Sequence, residues 1–357
     1  MTSMISPSYN VLIHDKTRND LSLYLMQLVN GEVLAGKFLN QQIKKAGFEN
    51  LSVLDTRNLL DLLLRTKKPQ IFAEMAVYGD GTDWNRQELK LLGDISIACK
   101  VMIYDDGHHL NPMVYDLPFE GYLLFTPGAL LRNGRGQMPA DWDVVNDDDG
   151  QIDMERYYAL YERRLLPLLN FANAESKMAD KKAVITIPGL GCGQFAGKFL
   201  GQLGEKLEAV LERILRTYRS QFDSIALIFF DPYKECTPKT IDIDGLPLVV
   251  NPQTKSNIKL NQLSYPHLLT TSENSENLLL FSFVAWDHVS WPGNDFYLGS
   301  RVTDDGVKAA ATNSMQIITG IEGFYDIAEN CYLPPRTFDT WFKVVEHYEL
   351  VLVNNEY

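Results

Sequence analysis

Three aspartates, Asp287, Asp295 and Asp305, fall within one short stretch of this chain. Residues 278–315 begin as a hydrophobic run, Leu-Leu-Leu-Phe-Ser-Phe-Val-Ala-Trp, and empty into a loop rich in aspartate and aromatic residues. Carboxylates gathered in one pocket raise one member's pKa by repulsion and desolvation, leaving a base and an acid near neutral pH. These three are therefore the candidate catalytic residues. Pro292-Gly293 is a turn signal that aims Asn294 and Asp295 sharply. Trp286, Trp291, Phe296 and Tyr297 offer flat faces for a base or a ribose, at least two of the four being expected as core or loop anchors instead, and Ala285 is the small residue at the strand exit. Asp304 reads as the N-cap of a short Ala-rich helix, and His288 as a hydrogen-bonded structural residue beside Trp286.

A second stretch adds anion chemistry. Residues 183–197 run from an apolar strand into Gly189, Gly191, Cys192, Gly193, Gln194, Phe195, Ala196 and Gly197, and the amphipathic segment 198–222 reads as a helix that follows without a break. Glycines let backbone N–H groups converge on a phosphate, and a helix N-terminus adds partial positive charge. Gly191-x-Gly193-x-x-Ala196 formally satisfies the dinucleotide fingerprint. That fingerprint wants an acidic residue about 20 positions later, and Asp231, at the end of the next strand, lies far beyond it. An NAD-binding oxidoreductase is thus a minor alternative.

Alternating elements must position these loops. Strands are expected at 11–14, 51–55, 71–78, 101–104 and 122–126, and the most buried at 183–187, 225–230 and 278–285. Helical spacing covers 19–46, interrupted near Gly31 and Gly36, then 56–65 and 154–173. Residues 132–151 read as loop, and the proline-dotted stretch 232–277 as a connection with a small hairpin. The pattern predicts an α/β layered fold.

The 357 residues carry a net charge of −13, which leaves no basic excess for a general nucleic-acid binder. No apolar run approaches the roughly 20 residues that span a bilayer, and the first ten residues lack a secretory signal. The four scattered cysteines suggest reduced thiols and no zinc site. Asp105-Asp106-Gly107-His108-His109 has a metal-like composition but reads as a turn, and 147–150 as a solvated loop.

Ile187-Pro188-Gly189-Leu190-Gly191-Cys192-Gly193 resembles the Pro-x-Ile-Gly-Cys-Gly loop of macrodomains, which wraps the diphosphate and distal ribose of ADP-ribose. Phe283 through Asn294 resembles their Val-Asn-Ala…Pro-Gly loop. The order of the two loops is reversed, which implies a permuted or rebuilt α/β/α macrodomain with a mixed sheet. The spacing of the three aspartates is similar to that of macrodomain ADP-ribosylhydrolases of the bacterial-effector type. Residues 1–100 read as an N-terminal α/β extension, within the sheet or beside it, and the resemblance implies 101–357 as the ADP-ribose-binding catalytic region. It also implies ADP-ribose as ligand and product with no cofactor and no metal. Its substrate would be an ADP-ribosylated protein, with arginine-linked ubiquitin favoured, and a ubiquitin-conjugating enzyme is a further candidate partner. Such a protein would be secreted and act in the host cytosol; otherwise it would be cytoplasmic. Asp295 would handle water, with Asp287 and Asp305 positioning the ribose or the leaving group. The rival expectation is a reader that binds ADP-ribose without cleaving it.

Overall fold

The apolar runs at 183–187 and 278–285 lie next to one another at the centre of an eight-stranded mixed sheet. The computed structural model describes residues 7–70, 77–132, 136–232, 234–251, 262–269 and 277–354. In chain order the elements are β1 (Tyr9–Leu12), α1 (Asp15–Asn30), α2 (Lys37–Lys45), α3 (Thr56–Leu64), α4 (Arg86–Gly93), β2 (Ser96–Asp105) and β3 (Val114–Pro127). There follow α5 (Trp142–Val145), α6 (Met154–Met178), β4 (Lys182–Pro188), α7 (Leu203–Thr217), β5 (Ile225–Asp231), β6 (Lys239–Ile243), β7 (Leu246–Val250) and β8 (Leu278–Trp286). The chain then forms α8 (Asp304–Ala311), α9 (Ser314–Thr319), the hairpin β9 (Phe324–Asp326) and β10 (Cys331–Leu333), and α10 (Trp341–His347).

Strand order is β1-β2-β3-β8-β4-β5-β7-β6. The five strands from β3 to β7 in that order run parallel, and antiparallel strands close both ends. Side chains of a strand alternate between faces. On β8, Leu280 and Val284 enter one core with α1, α3 and α4, while Phe281 and Phe283 enter the other with α6 and α7. The result is an α/β/α sandwich, as expected for a macrodomain-like fold. Residue 100 falls inside β2, and β1 pairs with that strand, so the N-terminal strand belongs to the same sheet.

Several expectations need correction. Residues 51–53 form a single 3₁₀ turn, not a strand, because the Asn50 side chain accepts from the Ser52 N–H and Asp55 caps α3 in a capping box. The loop at 132–151 contains the short α5. The helix expected to open at residue 198 starts at Leu203. Before it, Gln194–Phe199 form a 3₁₀ turn kinked at Gly197, and the chain leaves the helix at Thr217. Most of the expected strand 71–78 lies outside the described residues. The hairpin expected within 232–277 is β6–β7.

Candidate active site

β3, β8 and β4 are parallel neighbours, so the segments after Pro127, Trp286 and Pro188 leave from one edge of the sheet. In open α/β sheets this carboxyl edge is where ligands bind. The glycine loop and the aspartate loop therefore share an edge, joined by the segment after β3. The Leu131 N–H donates to the Phe195 carbonyl (2.8 Å), and the Ala129 N–H to the Tyr161 hydroxyl (3.1 Å), which itself donates to the Leu190 carbonyl (2.7 Å). Gly191 has a φ of +75°, and a Cβ there would stand 2.8 Å from both the Ala129 nitrogen and the Tyr161 hydroxyl. Only glycine lets these backbones approach so closely.

The aspartate loop is a hydrogen-bonded module. Asp287 accepts from the N–H groups of Val289 (2.8 Å) and Ser290 (2.7 Å) and from the Ser290 hydroxyl, which bends the chain directly after β8. Asp305, on the first turn of α8, accepts from the N–H groups of Gly293 (2.7 Å) and Asn294 (3.0 Å). Asp295 accepts from the N–H groups of Val302 (3.1 Å) and Thr303 (3.0 Å) and from the Thr303 hydroxyl (2.9 Å). Asn294 joins all three: its amide donates to Asp287 (3.3 Å), its N–H to Asp305, and its side-chain oxygen accepts from the Asp295 N–H (2.6 Å). It is the hub of the loop.

Burial of the trio is graded. Asp287 is half-buried, Asp295 is 7% exposed and Asp305 is wholly enclosed. Desolvation drives the Asp305 pKa well above the usual carboxylate range; its two N–H donors pull it down, and repulsion from Asp295 and Asp287 adds to the rise. Such a carboxyl keeps its proton at pH values where ordinary aspartates have lost theirs. Gly306 makes this packing possible, since a Cβ there would lie 1.7 Å from Asp295 Oδ1.

Other expected contacts are placed differently. Trp286, Phe296 and Tyr297 are core residues, exposed by 2, 4 and 0%. The Trp286 face is covered by the Lys67 ammonium at 4.0 Å, and Tyr297 packs edge-on against Trp291, so their rings are not open stacking platforms. Gly189, Cys192 and Ala196 are buried too, and burial pushes the Cys192 thiol far up. What remains accessible is Gly193, Gln194, part of Phe195 and Gly197, and half-buried Ala285 and Asp287. Among the described residues no group accepts the N–H of Gly193 or Gln194. At the N-terminus of α7 the Gly204 N–H already donates to the Glu235 carboxylate (2.6 Å). Thr303, not Asp304, caps α8; Asp304 instead accepts from the Ala285 N–H (3.2 Å) and pairs with Lys308 (3.2 Å).

Sequence reasoning missed the cluster that carries these loops. Buried Arg164 of α6 forms a forked pair with Asp141 (2.9 and 3.0 Å), contacts Asp94 (3.0 Å) and donates to the Gly128 carbonyl (2.9 Å). Asp141 also accepts from the Leu130 N–H (2.8 Å) and pairs with His288 (3.1 Å), so His288 is hydrogen-bonded, as expected. Burial by itself would raise the Asp141 pKa, but Arg164 and His288 hold it far below the usual range. In the sequence Glu162-Arg163-Arg164 looks like an ordinary solvated helix face; only the fold buries Arg164. Asp105 forms a forked pair with Arg301 (2.8 and 3.1 Å), and among the described residues no His/Cys/Asp/Glu group is arranged to hold a metal ion.

With this geometry established, the sequence profile of the family described as macrodomain effector MavL matches residues 9–338, most of the chain. No curated protein matches it.

Proposed function

Since the chain belongs to the macrodomain effector MavL family, we propose that it binds ADP-ribose at the carboxyl edge of β4 and β8 and hydrolyses the bond joining ADP-ribose to a modified protein. The observation that carries this reading is the graded aspartate trio on the edge shared with the glycine loop. The free N–H groups of Gly193 and Gln194 take the diphosphate, and Ala285 and Asp287 meet the distal ribose. Water adds to C1″ of that ribose as the C1″–N bond breaks. The departing guanidine keeps the bonding pair and gains a proton, and the proton of the water passes to a carboxylate. The transition state is oxocarbenium-like, so the Asp287 and Asp295 carboxylates stabilise its positive charge, as in glycoside hydrolysis. Asp295 takes the proton of the water and returns it to the departing guanidine, and the enclosed Asp305 seats the loop through the N–H groups of Gly293 and Asn294. The favoured substrate is ubiquitin ADP-ribosylated on arginine, met in a host cytosol after secretion, with a ubiquitin-conjugating enzyme as a further partner.

One observation favours a second reading. Both Asp295 oxygens already accept bonds from residues 302 and 303, as a loop that only holds ADP-ribose would require. Release of ADP-ribose from ADP-ribosylated ubiquitin separates the two. We expect wild-type turnover to fall about 100-fold or more in Asp295→Asn and Asp287→Asn, the usual range for loss of an acid–base group, with ADP-ribose still bound by calorimetry. Binding of ADP-ribose without release by wild type would leave a reader; equal turnover in wild type and both variants would remove Asp295 and Asp287 from the chemistry.

A further inference from the structure

Lys67 follows α3, far from the aspartate loop in sequence, yet it is 2% exposed and inserted beneath that loop. Its ammonium donates to the His288 carbonyl (2.6 Å) and the Leu92 carbonyl (3.4 Å) and stands 4.0 Å over the Trp286 ring. The backbone around it grips the same loop. The Lys67 carbonyl accepts from the Trp291 indole (3.1 Å), the Lys68 N–H donates to the Val289 carbonyl (2.8 Å), and the Lys68 carbonyl accepts from the Trp291 N–H (2.7 Å). Residues 67 and 68 thus hold the chain on both sides of Asp287: Trp286 before it, His288 to Trp291 after it.

An apolar side chain of similar length would fill this space without desolvating a charge, and a buried ammonium is costly unless carbonyls, ring faces or carboxylates surround it. We propose that Lys67 is a positioning residue for the hydrolysis, its ammonium fixing the His288 carbonyl and with it the direction in which Asp287 meets the ribose. This inference rests on the hydrolase reading above. Two charged groups face the ammonium: Asp287 from the β8 loop, which favours the charge, and Arg164 from α6, which opposes it. Burial is the larger influence and brings the Lys67 pKa down to about 7. The anchor therefore weakens as pH rises through neutrality.

The test uses the full chain with Lys67→Met and Lys67→Gln. ADP-ribose release from ADP-ribosylated ubiquitin is paired with amide hydrogen exchange of residues 287–291, corrected for intrinsic pH dependence. Small misplacements of catalytic groups cost up to about 100-fold, so kcat should drop about 10- to 100-fold in both variants with KM nearly unchanged. Exchange at 287–291 in wild type should accelerate above a pH of about 7, and both variants should lack that step. Unchanged kcat in variants of an active wild type overturns the proposal even if exchange changes. If wild type releases no ADP-ribose, the hydrolase reading fails by itself. Exchange at 287–291 in Lys67→Met then decides the anchor, faster exchange than in wild type supporting it and equal exchange overturning it; if that variant fails to fold, Lys67→Gln is read in the same way.

Discussion

At the scale of single residues, Asp305 has two effects that oppose one another. Its hydrogen bonds hold the loop together, while its enclosure raises its pKa and burdens the folded state as pH rises. The native chain keeps a proton on Asp305 where the unfolded chain has lost it, so the stability this residue contributes is full below the ordinary carboxylate pKa and is lost as pH climbs toward the raised value. Urea melts across pH 4 to 8 should show this decline in wild type and a shallower one in Asp305→Asn. Equal slopes would mean that Asp305 titrates normally. The trio was legible in the sequence because its members lie within 19 positions of one another and a turn signal separates them. The roles of the neighbouring aromatics were not. Trp286 and Tyr297 have the composition of a stacking platform, and burial alone distinguishes that from a core anchor.

At the scale of elements, the first turn of α8 is shaped to receive a side chain. Thr303 caps it with its hydroxyl and also donates to Asp295, while Gly306 clears the space that Asp295 occupies. A methyl group at position 306 has no room beside the carboxylate, so Gly306→Ala should expel Asp295 from this seat. We expect turnover to fall about 10- to 100-fold, as for displaced catalytic groups, with the melting temperature moving by only a few degrees if the shift stays local. Full activity in that variant would show that Asp295 need not lie against α8. The strands β4, β5 and β8 were readable because parallel strands covered on both faces are continuous apolar runs. The start of α7 was not, since the kink at Gly197 and the Glu235 cap on Gly204 depend on segments remote from it.

For the molecule as a whole, one buried cluster ties both functional loops to the helical layers. Arg164 is paired with Asp94 and Asp141 and holds the segment after β3, which in turn touches the glycine loop. Removing one partner of a buried ion pair strands the others and costs about 3–5 kcal/mol. Arg164→Met should therefore destabilise the fold by about that amount in denaturant titrations, and a loss below about 1 kcal/mol would mean that Asp94 and Asp141 find other partners. The amino-acid order alone determined the apolar strands, the glycine turn and the crowding of three acids, because each is a local pattern in neighbouring residues. Which acid is sealed from water, which aromatic faces are covered, and that Lys67 and Arg164 reach the loops were decided by the tertiary structure. Burial and long-range ion pairing arise only when segments far apart in the chain are packed together.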